Sequence, residues 1–225
     1  MADRVWITRA QPGADRTARR LTALGYEPVV APVLTLRPLP FDPPAPDAVA
    51  ALAFTSANGV AAFAQAAVPF HAMPVFTVGA ATAEAARAAG FTNVQSADGD
   101  AHDLARLLTE AATGPVLAPG ALQPAADLQA LTGSAVRIAP LPVYDAIATD
   151  TPAPAFDTVL IHSPRAGRAV AARLTPEAAR GHIAVAISSA AAQPLTALPF
   201  TEIRTAAAPN EAALLALLGK PQATV

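Results

Sequence analysis

Short apolar runs of strand length alternate along the chain with alanine-rich stretches of helical length. Val5 to Ile7 reads as a strand, a helix follows over about 14–24, and strands return at Val29 and Val33. Next come a strand at 51–55, a helix from Gly59, a strand at 75–78, a helix over 82–89 and a strand at Val94. A helix over 102–113 starts behind the acidic Asp98-Gly99-Asp100, as a helix N-terminus favours. Alternation of this kind predicts parallel sheets flanked by helices. The last predicted helix covers 210–218, with Asn210 and Glu211 as its cap.

The pattern occurs twice. Val5-Trp6-Ile7-Thr8-Arg9, a helix and Val29 to Leu34 are echoed by Val116-Leu117-Ala118-Pro119-Gly120, a helix and Ile138 to Val143. Phe54-Thr55-Ser56 is echoed by Ile161-His162-Ser163, and Val75 to Gly79 by Ile183 to Ser189. A period this long predicts one α/β domain duplicated rather than a solenoid. The proline-rich segments 38–46 and 140–154 follow equivalent strands and read as stiff connectors, because proline cannot continue a helix. The expected fold class is α/β, two similar parallel-sheet, flavodoxin-like domains joined by a two-stranded hinge. Domain one would comprise 1–36 and 148–225, and domain two the insert 37–147. Two such domains would leave a cleft for a ligand.

Composition narrows the function classes. The chain of 225 residues has no cysteine, which excludes a disulfide framework, thiolate metal sites and thiol nucleophiles. A net charge of −2 without basic clusters argues against nucleic acid as partner. No residue is charged from Ala48 to Ala83, yet Asn58, Gln65, Pro69, His71 and Pro74 divide that stretch below the length of a membrane span. The start of the chain shows no signal-peptide pattern, and a cytoplasmic location is expected. Lys220 is the one lysine beside fourteen arginines, a bias that fits a GC-rich genome.

Phosphate loops, dinucleotide fingerprints and nucleophile elbows are absent. His71, His102, His162 and His182 lack ligand spacing and read as surface or loop histidines, so no metal is expected; His162, at a strand end before Ser163, has the alternative of facing the cleft. Ligands of parallel sheets bind beyond the carboxyl ends of the strands. The candidate binding residues there are Thr8, Arg9, Thr55, Ser56, Asn58, Gly79, Thr82, Gly120, Ser163, Arg165, Ser188 and Ser189. Hydroxyls, amides and a few arginines suit a ligand bearing many carboxylates. Capping of helices is the alternative role for the serines. Tyr144, beside Asp145 in a predicted crossing strand, is either packing or a general acid, a role no other residue of the set fills.

These residues, in this order, resemble uroporphyrinogen-III synthases over essentially the whole chain. The matching pieces include Ile7-Thr8-Arg9 before Pro12-Gly13, Phe54 to Val60, Val78 to Ala83, Gly99-Asp100, Val143-Tyr144, Ser163-Pro164-Arg165 and the Pro209 to Leu218 ending. The resemblance implies a monomeric lyase of porphyrin and heme biosynthesis that needs no cofactor. Its substrate would be the linear tetrapyrrole hydroxymethylbilane, cyclised to uroporphyrinogen III with inversion of the last ring, and Tyr144 would be catalytic. The chain departs from the family pattern at Asp145-Ala146, where arginine and threonine are frequent, at Gln123-Pro124, and at Ser188-Ser189. A two-lobed small-molecule binding protein and an inactive paralogue of the synthase are the alternatives.

Overall fold

The computed structural model describes residues 3–219, which divide into two compact units. Unit one takes the chain up to Leu36 and again from Ile147 onward; unit two is Arg37–Ala146. In chain order the elements are β1 (Arg4–Ile7), α1 (Gly13–Ala23), β2 (Glu27–Val30), β3 (Leu34–Pro38), β4 (Ala51–Phe54), α2 (Ala57–Phe63), β5 (Pro74–Thr77) and α3 (Ala80–Ala88). They continue with β6 (Asn93–Ser96), α4 (Ala101–Ala111), β7 (Val116–Ala121), α5 (Leu128–Thr132), β8 (Ile138–Ala148), β9 (Thr158–Ile161) and α6 (Pro164–Ala171). The last are α7 (Pro176–Ala179), β10 (Ile183–Ala186), α8 (Ser189–Ala192), β11 (Glu202–Thr205) and α9 (Glu211–Ala216).

The sheet of unit one runs β11-β10-β9-β1-β2, and every pair in it is parallel. Its inner strands β1, β9 and β10 are short and largely apolar because both faces are covered. Trp6 points into one layer with Val159, Ile161, Ala184 and Ala186, while its neighbours Val5 and Ile7 point into the other with Leu160 and Val185. Trp6 is fully buried, and its indole N–H donates to the Ala31 carbonyl at 2.7 Å, so no polar atom of the ring is stranded.

The second sheet runs β3-β8-β7-β4-β5-β6, with β8-β7-β4-β5-β6 parallel. Ala51, Ala53 and Phe76 pack on one side with Leu104 and Leu108 of α4. On the other side Phe54 stands 6.1 Å from Phe63 and 5.8 Å from Phe91, ring centre to ring centre. Such tilted aromatic neighbours add to the burial of their area.

The sequence repeat is visible in strand order. Matching β7 to β1, β8 to β2, β4 to β9, β5 to β10 and β6 to β11 superimposes β8-β7-β4-β5-β6 on β2-β1-β9-β10-β11. The ladders agree with this match, because Leu117 pairs with Leu52 as Trp6 pairs with Val159. The two sheets therefore share one spatial order, entered by the chain at different strands.

One expectation needs correction. Pro140 and Pro142 are not connector but lie within the eleven residues of β8. Val116 N–H donates to Arg137 O, which sets the parity of the ladder so that both proline nitrogens turn away from β7. Proline is tolerated in a strand when its missing N–H would have faced no partner. Residues 39–45 and 149–156 lack regular structure, as read from the sequence for both connectors.

Candidate functional site

In both sheets the strand order reverses its direction of progress at one place, between β1 and β9 in unit one and between β4 and β7 in unit two. At such switch points adjacent helices leave on opposite faces and open a crevice at the carboxyl ends of the strands. The binding residues expected from sequence fall at the carboxyl ends of strands or in the first turn of the following helix, whereas Tyr144 lies within β8.

In unit two the chain leaves β4 through the exposed Thr55 and half-buried Ser56. Ser56 caps α2, its Oγ accepting from Gly59 N at 3.2 Å. Gly59 is needed there because a Cβ would stand 2.8 Å from the carbonyl oxygen of Pro119, so its absence lets α2 lie directly on β7. Tyr144, on β8, is buried, and its phenol oxygen lies 3.3 Å from Ser56 Oγ. Strand β7 separates β8 from β4, so the tyrosine side chain spans the end of β7 to make this contact. The β7–β8 ladder shifts register between Gly120 and Ala121, and Leu122 N–H donates to Tyr144 O at 2.8 Å. That irregularity fixes the backbone from which the tyrosine departs. Gly120 leaves open space where a side chain would stand. Either hydroxyl can donate in this contact; when Ser56 is the donor, the phenol proton is left for another acceptor.

Asp145 is buried and pairs with Arg37 Nη2 at 3.3 Å. Adjacent strand residues face opposite sides of a sheet, so this guanidinium lies on the other face from the Tyr144 ring. Asn58 is half-buried in the first turn of α2. Gly79 caps α3 with extended backbone, φ −166°, and Thr82 is buried in the next turn. The Thr82 backbone N–H donates to the Gly79 carbonyl at 3.0 Å, so this residue closes the first turn of α3.

In unit one, Thr8 is fully buried and donates to the Leu160 carbonyl at 2.5 Å. It ties the end of β1 to β9 and is closed to a ligand. Arg9 follows it, half-buried, with Nη1 3.5 Å from Glu211 Oε1. Burial lowers the pKa of Arg9, and the Glu211 charge opposes that shift. Ser163 caps α6, accepting from Ala166 N at 3.1 Å, and Ser188 caps α8, accepting from Ala191 N at 3.3 Å. Arg165 is half-buried in the first turn of α6 and Ser189 is exposed at the start of α8.

Two residues of this cluster were not read as functional from sequence. His162 lies in the link between β9 and α6, and its side chain is buried rather than at the surface: neither ring nitrogen has a hydrogen-bond partner among the described residues, and Nε2 stands 3.9 Å from Glu211 Oε1. Burial holds its pKa well below the ordinary value, and the Arg9 charge adds to that. Glu211, read as part of a cap, leaves that work to Asn210, which accepts from Ala213 N at 2.9 Å. Its carboxylate instead accepts from Thr17 Oγ1 and from Arg20 Nη1, the latter at 2.6 Å. No local pattern signals this, because the partners are far apart along the chain.

Two open concavities lie away from the carboxyl ends of the strands. One of about 340 Å³ lies among Gly114, Pro115 and Arg137 at the amino ends of β7 and β8, and one of about 290 Å³ lies beside Arg16, Arg19 and Arg20 of α1. Among the described residues no cluster of histidine and carboxylate side chains is arranged to hold a metal, and no helix is long and apolar enough to cross a membrane.

Comparison with known proteins agrees with this architecture. A uroporphyrinogen-III synthetase from Helicobacter pylori is 17% identical, with 97% of this chain and 98% of that one aligned at a TM-score of 0.67. A mutant uroporphyrinogen III synthase from Thermus thermophilus is 17% identical, with 97% of each chain aligned at a TM-score of 0.57. At such identities the likeness is one of fold. No curated protein matches the chain. The family model for uroporphyrinogen-III synthase HemD matches residues 15–216, and the chain accordingly belongs to this enzyme family of tetrapyrrole biosynthesis.

Proposed function

We propose that the chain is a lyase that cyclises hydroxymethylbilane to uroporphyrinogen III with inversion of the last pyrrole ring. The observation that carries this reading is the Ser56–Tyr144 contact at the switch point of unit two, which presents a phenol proton beside a helix N-terminus. Tyr144 donates its proton to the departing hydroxyl of the substrate, which leaves as water, and the substrate becomes an azafulvene cation. The substituted carbon of the last ring attacks this cation to give a spiro-pyrrolenine, which fragments and recombines with the ring inverted. The ring carbon that forms the final bond then loses its proton, and that proton restores the phenol, so the net change is loss of one water. A general acid of this kind contributes about 10²–10⁴-fold to the rate.

Arg9, the exposed hydroxyls and the helix N-termini at the strand ends take the acetate and propionate groups. Holding a flexible tetrapyrrole so that the inverting attack outruns simple closure is a task of orientation, which bound geometry can supply. Such a site asks for no metal or organic cofactor.

The test is to supply enzymatically generated hydroxymethylbilane to the purified chain, oxidise the product and resolve its isomers. Type III product without added metal or cofactor is expected. Type I alone, at the uncatalysed rate, would identify an inactive paralogue or a binding protein.

A further inference from the structure

The Arg9 guanidinium lies against the first residue of α1. A Cβ on Gly13 would stand 2.5 Å from Arg9 Nε and 2.9 Å from Nη2, so the glycine makes the recess in which the guanidinium sits. This is an unfavourable place for a cation, because the N-terminus of a helix carries partial positive charge and Arg16 and Arg20 add to it. Left alone, a long flexible side chain in that field would swing to solvent. Glu211 opposes this. Its side chain is 15% exposed, Oε1 faces Arg9 Nη1 and takes the Thr17 hydroxyl, and Oε2 takes Arg20.

Two guanidiniums share this one carboxylate, and His162 next to it is held neutral by burial, so the cluster keeps a net charge of about +1 at the switch point of unit one. Among the described residues the Nε and Nη2 atoms of Arg9 make no hydrogen bond, and the side chain is 29% exposed, so these donors remain for an anion that approaches from the side away from Gly13.

We propose that Glu211 is a positioning residue, held by Thr17 and Arg20, that fixes Arg9 over Gly13 to receive a carboxylate of the substrate. This rests on the functional reading above.

The test is a double-mutant cycle of Glu211→Gln and Arg9→Ala, with steady-state KM and kcat for type III formation and with binding of uroporphyrin III followed by fluorescence. Glu211→Gln is expected to raise KM and the porphyrin Kd about threefold or more when Arg9 is present, as coupled neighbours do, with kcat little changed. In the Arg9→Ala background it should change neither. Equal factors in both backgrounds, or no change in either, would overturn the proposal. Thr17→Val, which keeps shape and removes the hydroxyl that holds Glu211, should give the same pattern more weakly and serves if Glu211→Gln does not fold. A wild-type chain that binds porphyrin without cyclising hydroxymethylbilane removes the functional reading and leaves the cycle readable through Kd. One that does neither overturns both.

Discussion

Tyr144 differs from an ordinary packed tyrosine in where its hydroxyl ends: 3.3 Å from a serine that caps a helix, at the end of an adjacent strand pair. Tyr144→Phe keeps the ring in its buried place and removes the proton. The rate of type III formation should fall about 10²-fold or more, with type I leaking into the product as uncatalysed closure competes. A Phe variant with wild-type rate and pure type III output would leave ionisation to the substrate itself. Gly13 offers a separate test of Arg9. Gly13→Ala puts a methyl within 2.5 Å of the guanidinium, whose flexible stem gives way cheaply, while alanine restricts the unfolded chain and so stabilises by about 0.4–1 kcal/mol. Binding should weaken while the melting temperature holds or rises; equal porphyrin affinity in the two proteins would show that the recess does not matter. Tyr144 and Ser56 were legible in sequence because each ends or caps an apolar run. His162 and Glu211 were not, because burial of the one and pairing of the other with Thr17 and Arg20, 194 and 191 residues away, leave no trace in a local pattern.

The elements themselves were the most legible level. Strands at 5–7, 51–54 and 75–77 announce themselves by continuous apolar character, and the helices by alanine between polar caps. Proline in β8 was misread because its tolerance depends on which edge of the strand is paired, a fact of the sheet rather than of the residue. Ser56 and Ser163 occupy equivalent positions and make equivalent caps, yet only Ser56 touches Tyr144. Ser56→Ala and Ser163→Ala should therefore cost similar stability, about 1 kcal/mol each by urea unfolding. Turnover should separate them, with Ser56→Ala also slowing the chemical step and Ser163→Ala leaving kcat close to wild type. Equal kinetic effects would mean that the hydroxyl contact with Tyr144 carries no function.

Across the whole chain the duplication places unlike chemistry on one frame. The matched ladders put Gly120 where unit one has Arg9, and Thr55 where it has His162. Unit two thus keeps its switch point open for a tyrosine, whereas unit one fills the same positions with charge and a buried imidazole. That imidazole has a consequence for the stability of the protein. Because burial and the Arg9 charge depress its pKa in the folded chain below the ordinary 6.5, the unfolded chain binds a proton that the folded one does not. Stability is then full above pH 6.5 and is lost as pH falls from there toward the depressed folded value, with a slope of up to about 1.4 kcal/mol per pH unit. The carboxylates with lowered pKa, Asp103, Asp157 and Glu202, contribute stability that is lost only at lower pH, because their ordinary values are 3.8 to 4.5. Urea unfolding at pH 7.5 and pH 5.5 should show about 1 kcal/mol lost between them in the wild type. His162→Leu, which fills the buried site without titrating, should lose correspondingly less over the same interval. A wild-type stability that is flat from pH 7.5 to 5.5 would mean that the imidazole finds solvent or a partner when it takes up its proton.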